Sequence, residues 1–333
     1  MKNHAEVKLK IYYPSYYPRF ACIADRCTHN CCIGWEIDVD DETLYRYKDE
    51  NGDFGDRLRK NIDFSASPPC FILREDERCP FLNAQNLCDI ILTLGEDALC
   101  DICTLHPRFR NLYSDRVEMG IGLTCEAAAK LILTEAAPFS LVNGAEDNEP
   151  SEASTSDEEA FREKRTEIFS ILTNRYLSLD SRKKQILALI GGDEECITPT
   201  PDTVDFCLSL ERLDESYTDA LNALTEHAEA LTTALPEEFT IPEEQLLAYF
   251  LYRHLLPGED NDDFSARVRL SLFLGSLCRA MFVLYQKNQP DAALKDFAEI
   301  ARMVSSEIEY SEGNTMDLID YFYRISSFAD EHN

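Results

Sequence analysis

Four cysteines within eleven residues, Cys22, Cys27, Cys31 and Cys32, with the chain's one tryptophan, Trp35, just behind them, are the residues best suited to chemistry in this sequence. Thiolates are soft ligands, and closely spaced pairs reach a common metal at small loop-closure cost. Cys100-x2-Cys103 is a second such pair, and Cys79, Cys88 and Cys125 are available to complete one or two sites. Zinc and iron–sulfur clusters both use thiolate-rich sites, and spacing alone does not choose between them. The remaining late cysteines, Cys196, Cys207 and Cys278, stand among apolar neighbours and read as small buried hydrophobes.

Familiar cysteine templates do not fit. The third position of a C-x3-C-x2-C triad starting at Cys27 and Cys31 falls on Gly34, so the cluster triad of radical enzymes is broken. Cys100-x2-Cys103 does not follow a strand of a βαβ unit, as a thioredoxin-like dithiol would. No G-x-G-x-x-G follows a strand, which argues against a dinucleotide site. His29, inside the first cluster, and His106, three residues after Cys103, lie near the thiols in sequence, but packed or solvated histidines account for both better than ligands do.

The elements that position these residues follow from length and pattern. With 333 residues the chain suits two domains, each with its own core. No apolar run in the sequence reads as a membrane span, and residues 1–20 hold no continuous apolar leader, so the expected address is the cytoplasm, where thiols stay reduced. The net charge of −30 lies mostly in the second part: residues 1–135 hold 16 Lys+Arg against 23 Asp+Glu, and residues 136–333 hold 16 against 39. Such a field repels nucleic acid and attracts a lysine-bearing protein, although an acidic surface kept for solubility has the same composition.

Three regions are expected. Residues 1–135 form a cysteine-rich domain, with extended chain at 11–20, alternation over 35–40, a helix opening at Asp41, breaks at Gly52 and Gly55, and a buried helix over 126–137. Residues 136–160 carry seven acidic residues and no Lys or Arg, which reads as an acidic linker. Residues 161–333 show eight stretches with apolar residues at helical spacing, over 161–177, 184–190, 203–213, 217–235, 243–256, 264–287, 291–305 and 316–328, separated by prolines such as Pro236, Pro242 and Pro290. The fold class is therefore mainly α: a cysteine-rich metal- or cluster-binding N-terminal domain with few short strands, followed by an all-helical C-terminal domain.

The pieces Cys22-x4-Cys27-x3-Cys31-Cys32-x2-Trp35, then Ile37 and Asp40, Thr43 and Tyr47, Cys79-Pro80-Phe81-Leu82 and Cys88, Cys103 with Pro107-Arg108, and Glu118 ahead of Cys125-Glu126-Ala127 recur in this order in a known family. In them the chain resembles the flagellin lysine-N-methylases (FliB) and, more loosely, the YkgJ-type cysteine-cluster proteins, described as zinc- or iron-chelating. The resemblance covers roughly residues 12–135; Cys70 and Cys100 lie outside its pattern, and His106 stands where an aromatic residue is common. It implies a [4Fe-4S] cluster, S-adenosylmethionine as methyl donor and flagellin as protein partner. The expected metal ligands come from Cys22, Cys27, Cys31, Cys32, Cys79, Cys88, Cys103 and Cys125. Carboxylates and tyrosine hydroxyls suited to steering and deprotonating a lysine are Glu118, Glu126 and Tyr47, and Trp35, Asp40 and Arg108 are expected beside the cofactor. The competing expectation is a non-catalytic zinc or iron protein serving as a scaffold or metal-handling module.

Overall fold

The computed structural model describes residues 8–258 and 260–330, without the side chains of 147–150 and 326–330. Residues 1–7, on which part of the leader reading rests, lie outside the described residues. The chain is mainly α, as its periodicity requires. It divides into two compact units: Ala21–Phe109, and Met1–Phe20 together with Arg110–Asn333.

The chain opens with β1 (Lys8–Pro14) and then enters the Ala21–Phe109 unit. That unit contains α1 (Asp41–Asp49), α2 (Gly52–Lys60), the two-residue strands β2 (Ile62–Asp63) and β3 (Cys70–Phe71), α3 (Asp89–Leu94) and α4 (Asp101–Leu105). In α1, Thr43, Leu44 and Tyr47 fall on one face at helical spacing and are buried. They pack with Ile37, Val39, Leu58, Phe71, Phe81 and Ile90 in a small core that also takes in Cys79 and Cys100. Phe71 and Phe81 meet edge to face at 5.0 Å, and Phe71 stacks on Tyr47.

Residues 35–40 run as an extended piece with Ile37 and Val39 buried, and a bridge joins Asp38 to Cys70. Gly52, at φ +77°, marks the break between α1 and α2, whereas Gly55 lies within α2, where a Cβ would stand 2.1 Å from the Glu50 carbonyl oxygen.

β4 (Arg108–Leu112) and β5 (Arg116–Ile121) follow, then α5 (Glu126–Leu133) and β6 (Leu141–Pro150). The sheet order is β4-β5-β1-β6, with β1 parallel to β5 and antiparallel to β6. A parallel pair needs a long crossover, and residues 21–109 supply it. For this reason the first 20 residues group with the later chain, and the division by contacts does not fall at 135.

The acidic 136–160 segment is not a linker throughout. It contains β6, an edge strand in which Glu146 opposes Lys10 of β1. Its polar composition reads as a loop, yet charged residues are what an edge strand commonly carries.

The rest is helical: α6 (Ser156–Leu172), α7 (Leu179–Leu189), α8 (Pro201–Ser209), α9 (Glu215–Glu226), α10 (Thr240–His254), α11 (Asn261–Asn288), α12 (Leu294–Glu309) and α13 (Glu312–Asp330). All eight expected helices are present. The fourth stops at Glu226 rather than continuing to 235, and Pro242 sits in the first turn of α10, where a missing N–H costs no helical hydrogen bond. By length and composition α11 would cross a membrane, but 89% of its apolar window is buried inside the protein, as in a core helix.

Candidate functional site

The Ala21–Phe109 unit gathers six thiols: Cys31, Cys32, Cys79, Cys88, Cys100 and Cys103. Backbone pairing brings the first cluster to the second. The Cys79 amide donates to the Cys32 carbonyl at 2.8 Å, Ile33 bridges Arg78, and the Gly34 amide donates to Glu77. Gly34 has φ +87°, a left-handed turn that a cysteine there would adopt only with strain, which explains why no third thiol follows Cys27 and Cys31. Farther on, the Asp89 amide donates to the Phe81 carbonyl and Leu82 bridges Cys88, folding Cys79 and Cys88 into one hairpin-like turn. Cys100 precedes α4 and Cys103 lies one turn later on the same face.

Polar side chains of α1 and α2 hold these turns. Arg57 of α2 donates to the Pro80 carbonyl at 2.8 Å and pairs with Asp89 at 2.8 Å, tying the Cys79 turn to the start of α3 just after Cys88. Arg74 donates to the Pro80 and Leu82 carbonyls, both at 3.0 Å. From α1, Arg46 donates to the Asp97 carbonyl and Tyr47 to the Ala98 carbonyl, at 2.5 and 2.6 Å. Asp40, the N-cap of α1, accepts from the Thr43 amide on one oxygen and the Asp101 amide on the other, each at 2.9 Å. Burial opposes its ionisation, but these amides hold the carboxyl below its usual range.

The thiols act on one another electrostatically. A hydrogen bond from Cys32 favours the thiolate of Cys31, and one from Cys103 favours that of Cys100, so Cys31 and Cys100 shift down while Cys32 and Cys103 shift up. Burial pushes Cys79 up to about 11 and also raises Cys88. Against this, backbone amides point at sulfur: those of Phe81 and Leu82 at Cys79, of Ile90 and Ile91 at Cys88, and of Cys103 at Cys100. Cys103 feels Cys32 and Cys79, and Cys32 feels Cys79 and Cys88.

The chemistry of this donor set, soft sulfurs aimed at by amide N–H groups, fits a thiophilic metal or an iron–sulfur cluster. Among the described residues, however, no three His, Cys, Asp or Glu side chains are arranged to hold one metal ion. Cys31 is hydrogen-bonded to Cys32, and Cys100 to Cys103.

Other expected ligands lie differently. Cys22 is exposed, and its sulfur accepts from the Ala24 amide; the Cys27 thiol donates to the His29 carbonyl. Cys125 belongs to the other unit, where it precedes α5. Cys70 lies in β3, raised by burial and by the carboxylates of Glu36, Asp63 and Asp38. Cys100 was outside the expected set, yet the structure places it among the thiols; its spacing from Cys103 was the signal.

The remaining candidates are mostly engaged in structure. Trp35 donates from Nε1 to the Cys31 carbonyl at 2.6 Å and tilts against His106 at 6.3 Å, so it braces the cysteine loop. Arg108 donates to the Thr104 carbonyl at 3.5 Å, at the end of α4. Tyr47 borders the thiols but is raised by burial, and its hydroxyl is committed to Ala98. Asp40 has both carboxylate oxygens in helix caps. Glu118, on β5, is buried and paired with Arg165, which also donates to the Tyr113 hydroxyl at 2.9 Å; an arginine-bound carboxylate is a poor base. Glu126 begins α5 beside Cys125.

Two measurements check these assignments. Tyr47→Phe is expected to cost about 1 kcal/mol of stability through the lost bond to Ala98 while leaving any activity within about twofold of wild type; a large loss of activity at unchanged stability would restore a catalytic role. Burial, with the Arg108 charge, lowers His106 to about 4. The unfolded chain therefore binds a proton that the folded chain does not, so the His106 contribution is complete above about pH 6.5 and falls as the pH drops toward 4. His106→Phe is expected to flatten the pH dependence of the denaturation midpoint in that window, and an unchanged slope would refute the shift.

Residues 205–332 match the family model described as the FliB lysine N-methylase C-terminal domain. The chain is 27% identical over 135 residues to the Lysine-N-methylase of Salmonella typhimurium, covering 37% of this chain and 32% of that protein. To the Flagellar biosynthetic protein FliU of Salmonella muenchen it is 26% identical over 135 residues, 37% of this chain and 76% of that protein. The matched part thus spans about a third of the length of that lysine-N-methylase. No solved structure matches. Through residues 205–332 and these partial matches, the chain is similar to the FliB lysine N-methylases.

Proposed function

We propose that this protein is a cytoplasmic protein-lysine N-methyltransferase that acts on flagellin, takes its methyl group from S-adenosylmethionine and holds a [4Fe-4S] cluster on thiols of the 21–109 unit. The reading is carried by one conjunction: a chain whose residues 205–332 match the FliB C-terminal domain model also folds six thiols into one neighbourhood. Cys32, Cys79, Cys88 and Cys103, with Cys100 and Cys31 hydrogen-bonded beside them, are the residues that would hold the cluster. A cluster bound there supplies one-electron chemistry.

The chain's own residues do the rest. Amides of Phe81, Leu82, Ile90 and Ile91 stabilise the thiolates, and Arg57 and Arg74 fix the turn that carries Cys79. Methyl transfer from a sulfonium needs a neutral lysine amine, in line and away from water. In this reading Glu126, at the start of α5, is the carboxylate that accepts the ammonium proton. The net charge of −30 draws a lysine-bearing partner toward the protein. The test is to incubate anaerobically purified protein with S-adenosylmethionine and flagellin and to map lysines by mass spectrometry. Methylated lysines support the reading, and unmodified flagellin with metal-replete protein removes it.

A further inference from the structure

We propose that Asp40 is a positioning residue that sets the Cys100–Cys103 pair for ligation; this rests on the thiol-site reading above. Its carboxylate spans two helix starts. One oxygen accepts from the Thr43 amide and caps α1, and the other reaches 61 residues along the chain to the Asp101 amide, the first residue of α4. The second bond is the informative one. A cap needs one acceptor, and α1 is already capped by the first oxygen.

Asp101 stands between the two thiols of the pair. Cys100 precedes it and Cys103 lies within the same five-residue helix, so the orientation of α4 fixes where both sulfurs point. Two further bonds from α1 pull the same segment into register, Arg46 to the Asp97 carbonyl and Tyr47 to the Ala98 carbonyl. Those two secure the approach to Cys100, whereas Asp40 holds the first amide of α4 itself. A short helix has little stability of its own, so a charge-assisted bond at its first amide is what holds the pair toward Cys32 and Cys79, with which Cys103 interacts. Cys100 is almost fully buried, at 1% exposure, so its position is set by the fold around it.

Asn in place of Asp separates the two functions. Asn caps a helix as well as Asp does, so Asp40→Asn keeps the Thr43 bond, but its NH2 group cannot accept from the Asp101 amide. The probe is Co2+ bound to the full-length protein, read by the thiolate-to-cobalt charge-transfer absorption per bound metal. Asp40→Asn is expected to lower that absorption by about half, as the Cys100–Cys103 pair disengages from the thiol set, with a near-wild-type melting temperature. The Cys100→Ser/Cys103→Ser variant is expected to show the same loss, and adding Asp40→Asn to it no further loss. A wild-type band in Asp40→Asn would overturn the proposal and leave the thiol site standing. A wild-type protein with no thiolate band would overturn the site itself and this proposal with it.

Discussion

Serine at Cys79 or at Cys103 is expected to prevent assembly of the proposed iron–sulfur cluster and to lower the proposed methyl transfer by at least about a hundredfold, beyond the 10- to 100-fold that loss of a group supporting a ligand costs. A serine hydroxyl does not ionise at neutral pH and is a hard donor, so it replaces neither the charge nor the softness of a thiolate. Cys79 is the hub, since it meets Cys32 through the backbone and Cys32, Cys88 and Cys103 through their electrostatic effects. Cys100→Ser is expected to lose metal as well, and Cys70→Ser to keep it, because Cys70 lies in β3 among carboxylates instead of among the thiols. Metal per chain by elemental analysis, with circular dichroism to verify folding, checks the set. Equal losses at Cys70 and Cys79 would contradict the placement.

Glu118→Ala is expected to destabilise the unit that carries β5 by about 3–5 kcal/mol, because it leaves the Arg165 guanidinium buried without its counter-charge. Glu118 is 1% exposed and Arg165 5%, so water cannot compensate for the lost partner. Arg165 also lies over the Phe161 and Tyr252 rings and donates to Tyr113, which is raised to about 12, chiefly by burial. The Arg165→Met/Glu118→Gln double variant is expected to recover most of the loss, since the pair then goes without a bare charge. Urea denaturation followed by far-ultraviolet dichroism measures this. If Glu118→Ala instead kept its midpoint and lost methyl transfer, the carboxylate would be a base and not a structural partner.

Helices were the most legible part of the fold, because apolar residues at three- and four-residue spacing repeat over long stretches such as 264–287, and α11 follows that pattern. The strands were less so. β6 carries Glu146 opposite Lys10 and has no apolar alternation to betray it, and β1 pairs with β5 across about a hundred residues, which no local pattern encodes. At the site, the Cys79-to-Cys88 turn and the first cluster were legible from spacing. The spacing of Cys100 from Cys103 showed the second pair, but not the bonds from Asp40, Arg46 and Tyr47 that hold the segment carrying it. Residue type alone did not show the hydrogen-bond partners of Asp40 and Tyr47, nor that Glu118 pairs with Arg165, 47 residues away.

Iron, zinc and acid-labile sulfide measured on the full-length protein purified without oxygen test the central claim most directly. The account predicts about four iron and about four sulfide per chain, with zinc near zero. A colourless protein carrying zinc alone would contradict it.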